Sequence, residues 1–198
     1  MLAELDPRIF DFTVFAVLGR WEELAALRRG LAAPPGRPWR EALLQAHLFA
    51  GFPRIVEAFG VLEAAGGLGI AEPDEVLGEP DNPARGQALF AQVYGARTAA
   101  VENTLLGHHP DFAGWIFGHA YGRVLSRPGL PAFQRELLAV AALIALGQDR
   151  QLASHARGAV ALGASPTAVR GVLERITPLV PEPAVASARR VLERFAPL

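Results

Sequence analysis

The sequence predicts an all-α protein, and three observations carry that expectation. Segments rich in Ala, Leu, Arg and Glu repeat their apolar positions every three to four residues. No stretch sustains the alternation of apolar and polar residues that a half-buried strand requires. Finally, prolines and glycines stand where helices should begin and end.

Taken in order, the pattern places helices over 8–18, 20–32, 38–50, 53–65, 84–106, 110–125, 131–146, 149–162, 166–177 and 182–195. Pro53, Pro110, Pro131 and Pro166 each fall at an expected first helical position, where a missing N–H costs nothing. Ser165 before Pro166 is a good N-cap, and Gly163 suits the left-handed residue after a helix.

Residues 66–84 (GGLGIAEPDEVLGEPDNPA) interrupt the helical pattern with Gly, Pro and acidic residues and read as a linker. The flanks resemble each other. Gly19 and Gly147, Leu24 and Leu152, Arg29 and Arg157, and Gly30 and Gly158 are all separated by 128 positions. This predicts a degenerate first helical repeat over 1–65, the linker over 66–84, and a second repeat over 85–198. Chance likeness between apolar helices is the alternative.

Composition removes several chemistries. There is no cysteine, so thiol peroxidase, disulfide exchange and thiolate metal chemistry are excluded. All 19 basic residues are arginine, which rules out a Schiff base and a phosphate-gripping lysine. Of the serines, Ser126, Ser154, Ser165 and Ser187, none sits in a G-x-S-x-G elbow. A formal charge of −1 argues against nucleic acid or an anionic membrane as partner. The longest apolar run, Leu137 to Leu146, is about half a membrane span. The first residues, MLAELDPRIF, lack the basic and apolar stretches of a secretory signal, so a cytoplasmic location is expected.

Chemistry concentrates in the second repeat. Gln148, Gln151 and His155 are spaced by three and four, so they stack on one helical face. A chain reversal at Leu146-Gly147 would bring Glu136 alongside that face. Glu136 and His155 could then share a proton, as general acid-base chemistry requires. A structural role stands beside this reading: Glu136 near its helix N-terminus with Arg135 or Arg157 as partner, and His155 as a satisfied core histidine. His108, His109 and His119 invite a metal site, but their aromatic surroundings (Phe112, Trp115, Phe117, Tyr121) and the lack of carboxylates beyond Asp111 disfavour it.

The run R-E-L-L-A-V-A-A-L-I-A-L-G-Q-D-R-Q-L-A-S-H-A-R-G-A-V-A-L-G-A-S (135–165) resembles the carboxymuconolactone decarboxylase / alkylhydroperoxidase D superfamily. The resemblance extends through H-H-P-D-F-A-G-W-I-F-G-H-A-Y-G-R-V-L-S-R-P-G-L (108–130), which is similar to the decarboxylase branch. In the first repeat, E-A-L-L-Q-A-H-L-F-A-G-F-P-R-I-V-E-A (41–58) is similar to the family's late helices. The peroxidase branch carries Glu, a C-x-x-C pair and His at this spacing. Glu136 and His155 match, whereas Gln148 and Gln151 occupy the cysteine positions, and an amide cannot cycle through thiol oxidation states.

The resemblance implies an alkylhydroperoxidase D-like helical fold built as two tandem decarboxylase-type units, the first truncated. It implies cofactor-independent decarboxylation of a small carboxylated lactone or keto acid, with no metal; a non-catalytic ligand-binding or scaffold descendant is the alternative. His155 is the expected proton donor and Glu136 its partner. Arg127, Arg123, Arg135 and Arg157 are expected to grip substrate carboxylates, Arg127 foremost because it sits in the R-P-G-L turn. Gln148 and Gln151 are expected to line the same site. At the 128-residue offset His155 corresponds to Leu27 and Glu136 to Arg8, so one such site per chain is expected, with His47 and Phe52 closing it. Single-unit relatives form rings, so the expected assembly is a homotrimer resembling a hexameric ring.

Overall fold

The computed structural model describes residues 5–78 and 80–195, and among them regular structure is helical throughout. The helices are α1 (Arg8–Leu18), α2 (Trp21–Arg29), α3 (Arg37–Ala50), α4 (Phe52–Ala64), α5 (Pro83–Tyr94), α6 (Thr98–His108), α7 (Pro110–Trp115), α8 (Ala132–Ala145), α9 (Asp149–Ala161), α10 (Pro166–Ile176) and α11 (Glu182–Phe195). No helix among the described residues is long and apolar enough to cross a membrane.

Sequence chemistry sets many of these ends. The Ser165 hydroxyl accepts from the Ala168 N–H at 3.0 Å and starts α10. Gly19 ends α1 in the left-handed conformation with φ 71°, and Gly147 takes the same region with φ 66° between α8 and α9. The stretch expected as one helix over 84–106 is broken: Gly95, φ 53°, opens a 3₁₀ turn (Gly95–Arg97) that separates α5 from α6.

Helix α8 is the axis of the fold. Every residue from Gln134 to Ala145 is buried, and its alanines let α1, α3, α9 and α10 approach closely. The main apolar core draws on α1–α4 and α8–α11 together, so the two expected repeats share one interior rather than folding as separate bodies. Their packing runs in parallel. Within each set the first helix meets the second and third, and the second meets the fourth; across sets, α1 meets α10 and α8 meets α3.

Residues 66–82 are not a loose tether. Arg28 donates to the carbonyls of Gly66 and Gly67, and Arg40 donates through Nε to the buried carboxylate of Glu75 at 2.9 Å. Backbone carbonyls thus tie this segment to α2, and the Glu75 carboxylate ties it to α3.

A smaller core of Phe90, Val93, Ala113, Phe117, Tyr121 and Leu125 joins α5 to the chain after α7. There, Ile116–Leu125 winds as a π-helix rather than continuing the expected α-helix over 110–125. Its backbone crosses that of α5 at close range. A Cβ on Gly86 would lie 1.7 Å from the Phe117 carbonyl oxygen, and one on Gly122 would lie 2.0 Å from that of Asn82. Arg85 Nε also donates to the Gly122 carbonyl at 2.8 Å, occupying an acceptor at the site of the wider turn.

Candidate functional site

A fully apolar helix position cannot hold a charged side chain without a partner, and α8 buries two in succession, Arg135 and Glu136. They lie about 100° apart around the helix and find different partners.

Glu136 faces α9. Its Oε2 lies 2.8 Å from His155 Nδ1, with side chains 3% and 12% exposed. Two local features allow this contact. The turn at Leu146-Gly147-Gln148 reverses the chain, with Gln148 N–H donating to the Leu143 carbonyl at 2.9 Å. Residue 158, one turn beyond His155, is glycine: a Cβ there would stand 2.8 Å from Glu136 Oε2. The carboxylate fixes the imidazole with a proton on Nδ1 in its neutral form, which leaves Nε2 as the free position. His155 Nε2 has no hydrogen-bond partner among the described residues. The edge-to-face ring beside it is Phe49, 5.7 Å away on α3.

Arg135 faces α3 and meets Glu41, a residue that carried no expectation. Glu41 Oε2 accepts from Arg135 at 2.8 Å and from Arg127 Nε at 2.9 Å, and Oε1 accepts from Arg127 at 2.9 Å. Arg127 also donates to the Glu75 carbonyl, and Arg135 to those of Arg127 and Pro128. Burial raises the Glu41 carboxyl, but the two guanidiniums outweigh it and hold the group below its ordinary range. Burial likewise lowers Arg135 from the usual guanidinium range, against the pull of Glu41. Two of the four arginines expected to grip a substrate, Arg127 and Arg135, thus meet the carboxylate of Glu41, Arg127 through two nitrogens and Arg135 through one. The R-P-G-L turn aims Arg127 inward as expected, toward a protein carboxylate. Glu41 and Gln45 are one turn apart on α3, and both are buried, as are Ala42 and Ala46 beside them.

The other expected contacts are placed as follows. Gln148 and Gln151 are exposed at the start of α9. Arg123 is half-exposed and lies 3.6 Å from Asp81. Arg157 stacks on the Phe195 ring at 4.6 Å, and its buried Nε has no hydrogen-bond partner among the described residues. Burial lowers its guanidinium from the usual range, with Arg97 adding repulsion.

His47 does not close over His155. It donates from Nδ1 to the Leu44 carbonyl, stacks on Phe52 with ring centres 4.6 Å apart, and places Nε2 at 2.8 Å from His119 Nε2. Burial lowers it from the ordinary imidazole range. His109, one of the residues considered as a metal ligand, instead caps α7 by accepting from the Asp111 N–H at 3.1 Å.

Residues 110–194 match the model of the carboxymuconolactone decarboxylase family. This span, which is similar to that family, carries Glu136 and His155. The chain is 30% identical over 131 residues to peroxisomal protein 2 of Schizosaccharomyces pombe, a match covering 64% of this chain and 61% of that relative. It is 37% identical over 75 residues to the 4-carboxymuconolactone decarboxylase of Acinetobacter baylyi, covering 37% of this chain and 55% of that protein. The matched stretches thus span between half and two thirds of these curated relatives.

Proposed function

We propose that the protein is a decarboxylase-like lyase for a small carboxylated lactone or keto acid, working by general acid-base chemistry at His155 and Glu136. The observation that carries this reading is the 2.8 Å contact between Glu136 Oε2 and His155 Nδ1, which leaves imidazole Nε2 as the proton-transferring atom. Loss of CO₂ leaves an enolate or dienolate, and an imidazolium stabilised by a buried carboxylate is suited to protonate its carbon. The likeness of this region to a 4-carboxymuconolactone decarboxylase supports the choice of substrate class. Arg157 is the candidate anchor for a substrate carboxylate, because its buried Nε lacks a partner among the described residues. The absence of cysteine excludes the thiol route to peroxide reduction.

The reading includes two tandem units, supported by the parallel packing of α1–α4 and α8–α11. It also includes self-association through the apolar face of α4, where Phe52, Val56 and Phe59 stand exposed. A homotrimer is the proposed assembly.

A second reading, a non-catalytic ligand-binding or scaffold protein, has its own observation. Two clefts of about 410 and 320 Å³ line their walls with residues such as Trp39, Gln134, Arg85 and Leu130, and neither includes Glu136 or His155. The likeness to peroxisomal protein 2 is as compatible with this reading as with the first. A panel of muconolactone-type and β-keto acids assayed for CO₂ release, wild type against His155→Ala, separates the two. Release by wild type and its loss in the variant supports the lyase; equal inertness of both across the panel favours the binding protein.

A further inference from the structure

Among the described residues, Arg157 is a cation without an acid. Arg37 and Arg135 also bury nitrogens that lack a hydrogen-bond partner, but each holds a carboxylate, Asp74 and Glu41 respectively. Arg157 buries its Nε in the same way and has no ion pair among the described residues. Its guanidinium lies over the Phe195 ring at 4.6 Å, a contact that uses the flat face and leaves the edge nitrogens for an acceptor.

The neighbouring charges enlarge the deficit. Arg97 stands close enough to repel Arg157, the Tyr94 phenol favours its charge, and no carboxylate among the described residues offsets the repulsion. Arg97 ends the 3₁₀ turn that Gly95 opens after α5, and α5 packs on α9, which brings this corner against Arg157. Arg97 itself is exposed and has no hydrogen bond or ion pair among the described residues. Two guanidiniums held together without an acid repel until an anion sits between them.

Tyr94 supplies a third group. Its hydroxyl lies 3.5 Å from that of Tyr121, which donates to it, and Ser154, the residue before His155, offers the same oxygen a further hydrogen bond. With both lending protons, the Tyr94 hydroxyl keeps its own for an outside acceptor. The charges of Glu136 and Arg97 both act on this phenol, so it borders the acid-base pair as well as the two arginines.

We propose that Arg97, Arg157 and the Tyr94 hydroxyl form a clamp for one carboxylate of the ligand, with Arg97 as its specificity-determining residue. Carboxylate is chosen over other anions on the strength of the lyase reading; the clamp itself follows from the unmet cations. A planar carboxylate accepts from two guanidiniums through its two oxygens, and Tyr94 adds a neutral donor. An uncharged ligand is refused, because it leaves both arginines without a counter-charge. Arg157 was among the residues expected to bind substrate, whereas Arg97 carried no expectation, because the helix expected over 84–106 ran through it.

The test is calorimetric titration of the whole protein with γ-butyrolactone-γ-carboxylate and with its uncharged methyl ester. The acid is a saturated lactone that cannot lose CO₂ through an enolate, so binding is read without turnover. It should bind once per chain, and the ester about tenfold more weakly or worse. Because Arg97 is exposed, Arg97→Gln should fold normally, weaken the acid by about tenfold or more and leave the ester unchanged. Arg97→Lys should recover part of that loss, whereas Arg123→Gln, at an arginine already beside Asp81, should not weaken the acid. Equal affinity for acid and ester, no saturable binding of the acid, or binding unaffected by Arg97→Gln overturns the proposal. Arg97-dependent binding without CO₂ release from any acid of the panel removes the lyase reading and leaves the clamp standing. Turnover with a KM that ignores Arg97→Gln does the reverse.

Discussion

The carboxylate of Glu136 occupies the space that a side chain at residue 158 would fill: a Cβ on Gly158 would stand 2.8 Å from Oε2. The Glu136 carboxylate ends a flexible side chain, whereas the Val93 methyl at the same distance belongs to a buried, stiff β-branched one. Gly158→Ala is therefore expected to lose about 1–3 kcal/mol of stability while displacing the carboxylate from His155. Thermal unfolding and the imidazole proton resonance of His155 report the two effects. An unchanged resonance would show that the glycine is not what seats the carboxylate.

The glycines between α5 and the π-helical stretch should behave differently. At Gly86 and Gly122 the added Cβ meets backbone oxygen at 1.7 and 2.0 Å, and backbone cannot swing away. Each alanine variant is expected to lose more than about 3 kcal/mol, or to fail to fold. Near-wild-type denaturant midpoints for both would contradict the close crossing.

Glu41 ties α3 to α8 and to the turn that carries Arg127. Glu41→Gln leaves two guanidiniums with one neutral partner and should cost about 3–5 kcal/mol near neutral pH. The folded carboxyl titrates below its ordinary range, so its stabilisation is present above the unfolded pKa and is lost as acid takes the pH through the lower folded value. Wild-type stability should therefore fall steeply below about pH 4.5, and more shallowly in the variant. Parallel acid-unfolding curves would place the sensitivity elsewhere.

The exposed face of α4 predicts self-association. Val56→Asp and Phe59→Asp change only residues that are exposed, so each chain should fold normally while the mass measured by light scattering drops toward that of one chain. A wild type that is already monomeric at micromolar concentration, or variants of unchanged mass, would remove this face as an interface.

Much of the fold was legible because helix periodicity and end signals are local. Ser165-Pro166, Gly19 and Gly147 are each read from a few residues, and the structure uses them as helix punctuation. The Glu136–His155 contact was legible for a related reason: both residues belong to one helical hairpin, so spacing and a single glycine turn bring them together. What escaped depends on distant parts of the chain. Glu41 meets Arg127 and Arg135 across separations of 86 and 94 residues, and spacing holds no record of such a pairing. Arg127 and Arg135 were expected to meet a substrate carboxylate, and the carboxylate they meet is that of Glu41. The apolar periodicity over 84–106 ran on through Gly95, which in the structure divides two helices, and no side chain of α6 is fully buried.

The most direct measurement is CO₂ release on the best substrate of the panel by wild type, Glu136→Gln, His155→Ala and the double variant. If the pair acts as one unit, His155→Ala should lower kcat by about two to four orders of magnitude, Glu136→Gln by a smaller factor, and the double variant by little more than His155→Ala alone. Losses that multiply independently, or full turnover without the imidazole, would contradict a shared acid-base role for the two residues.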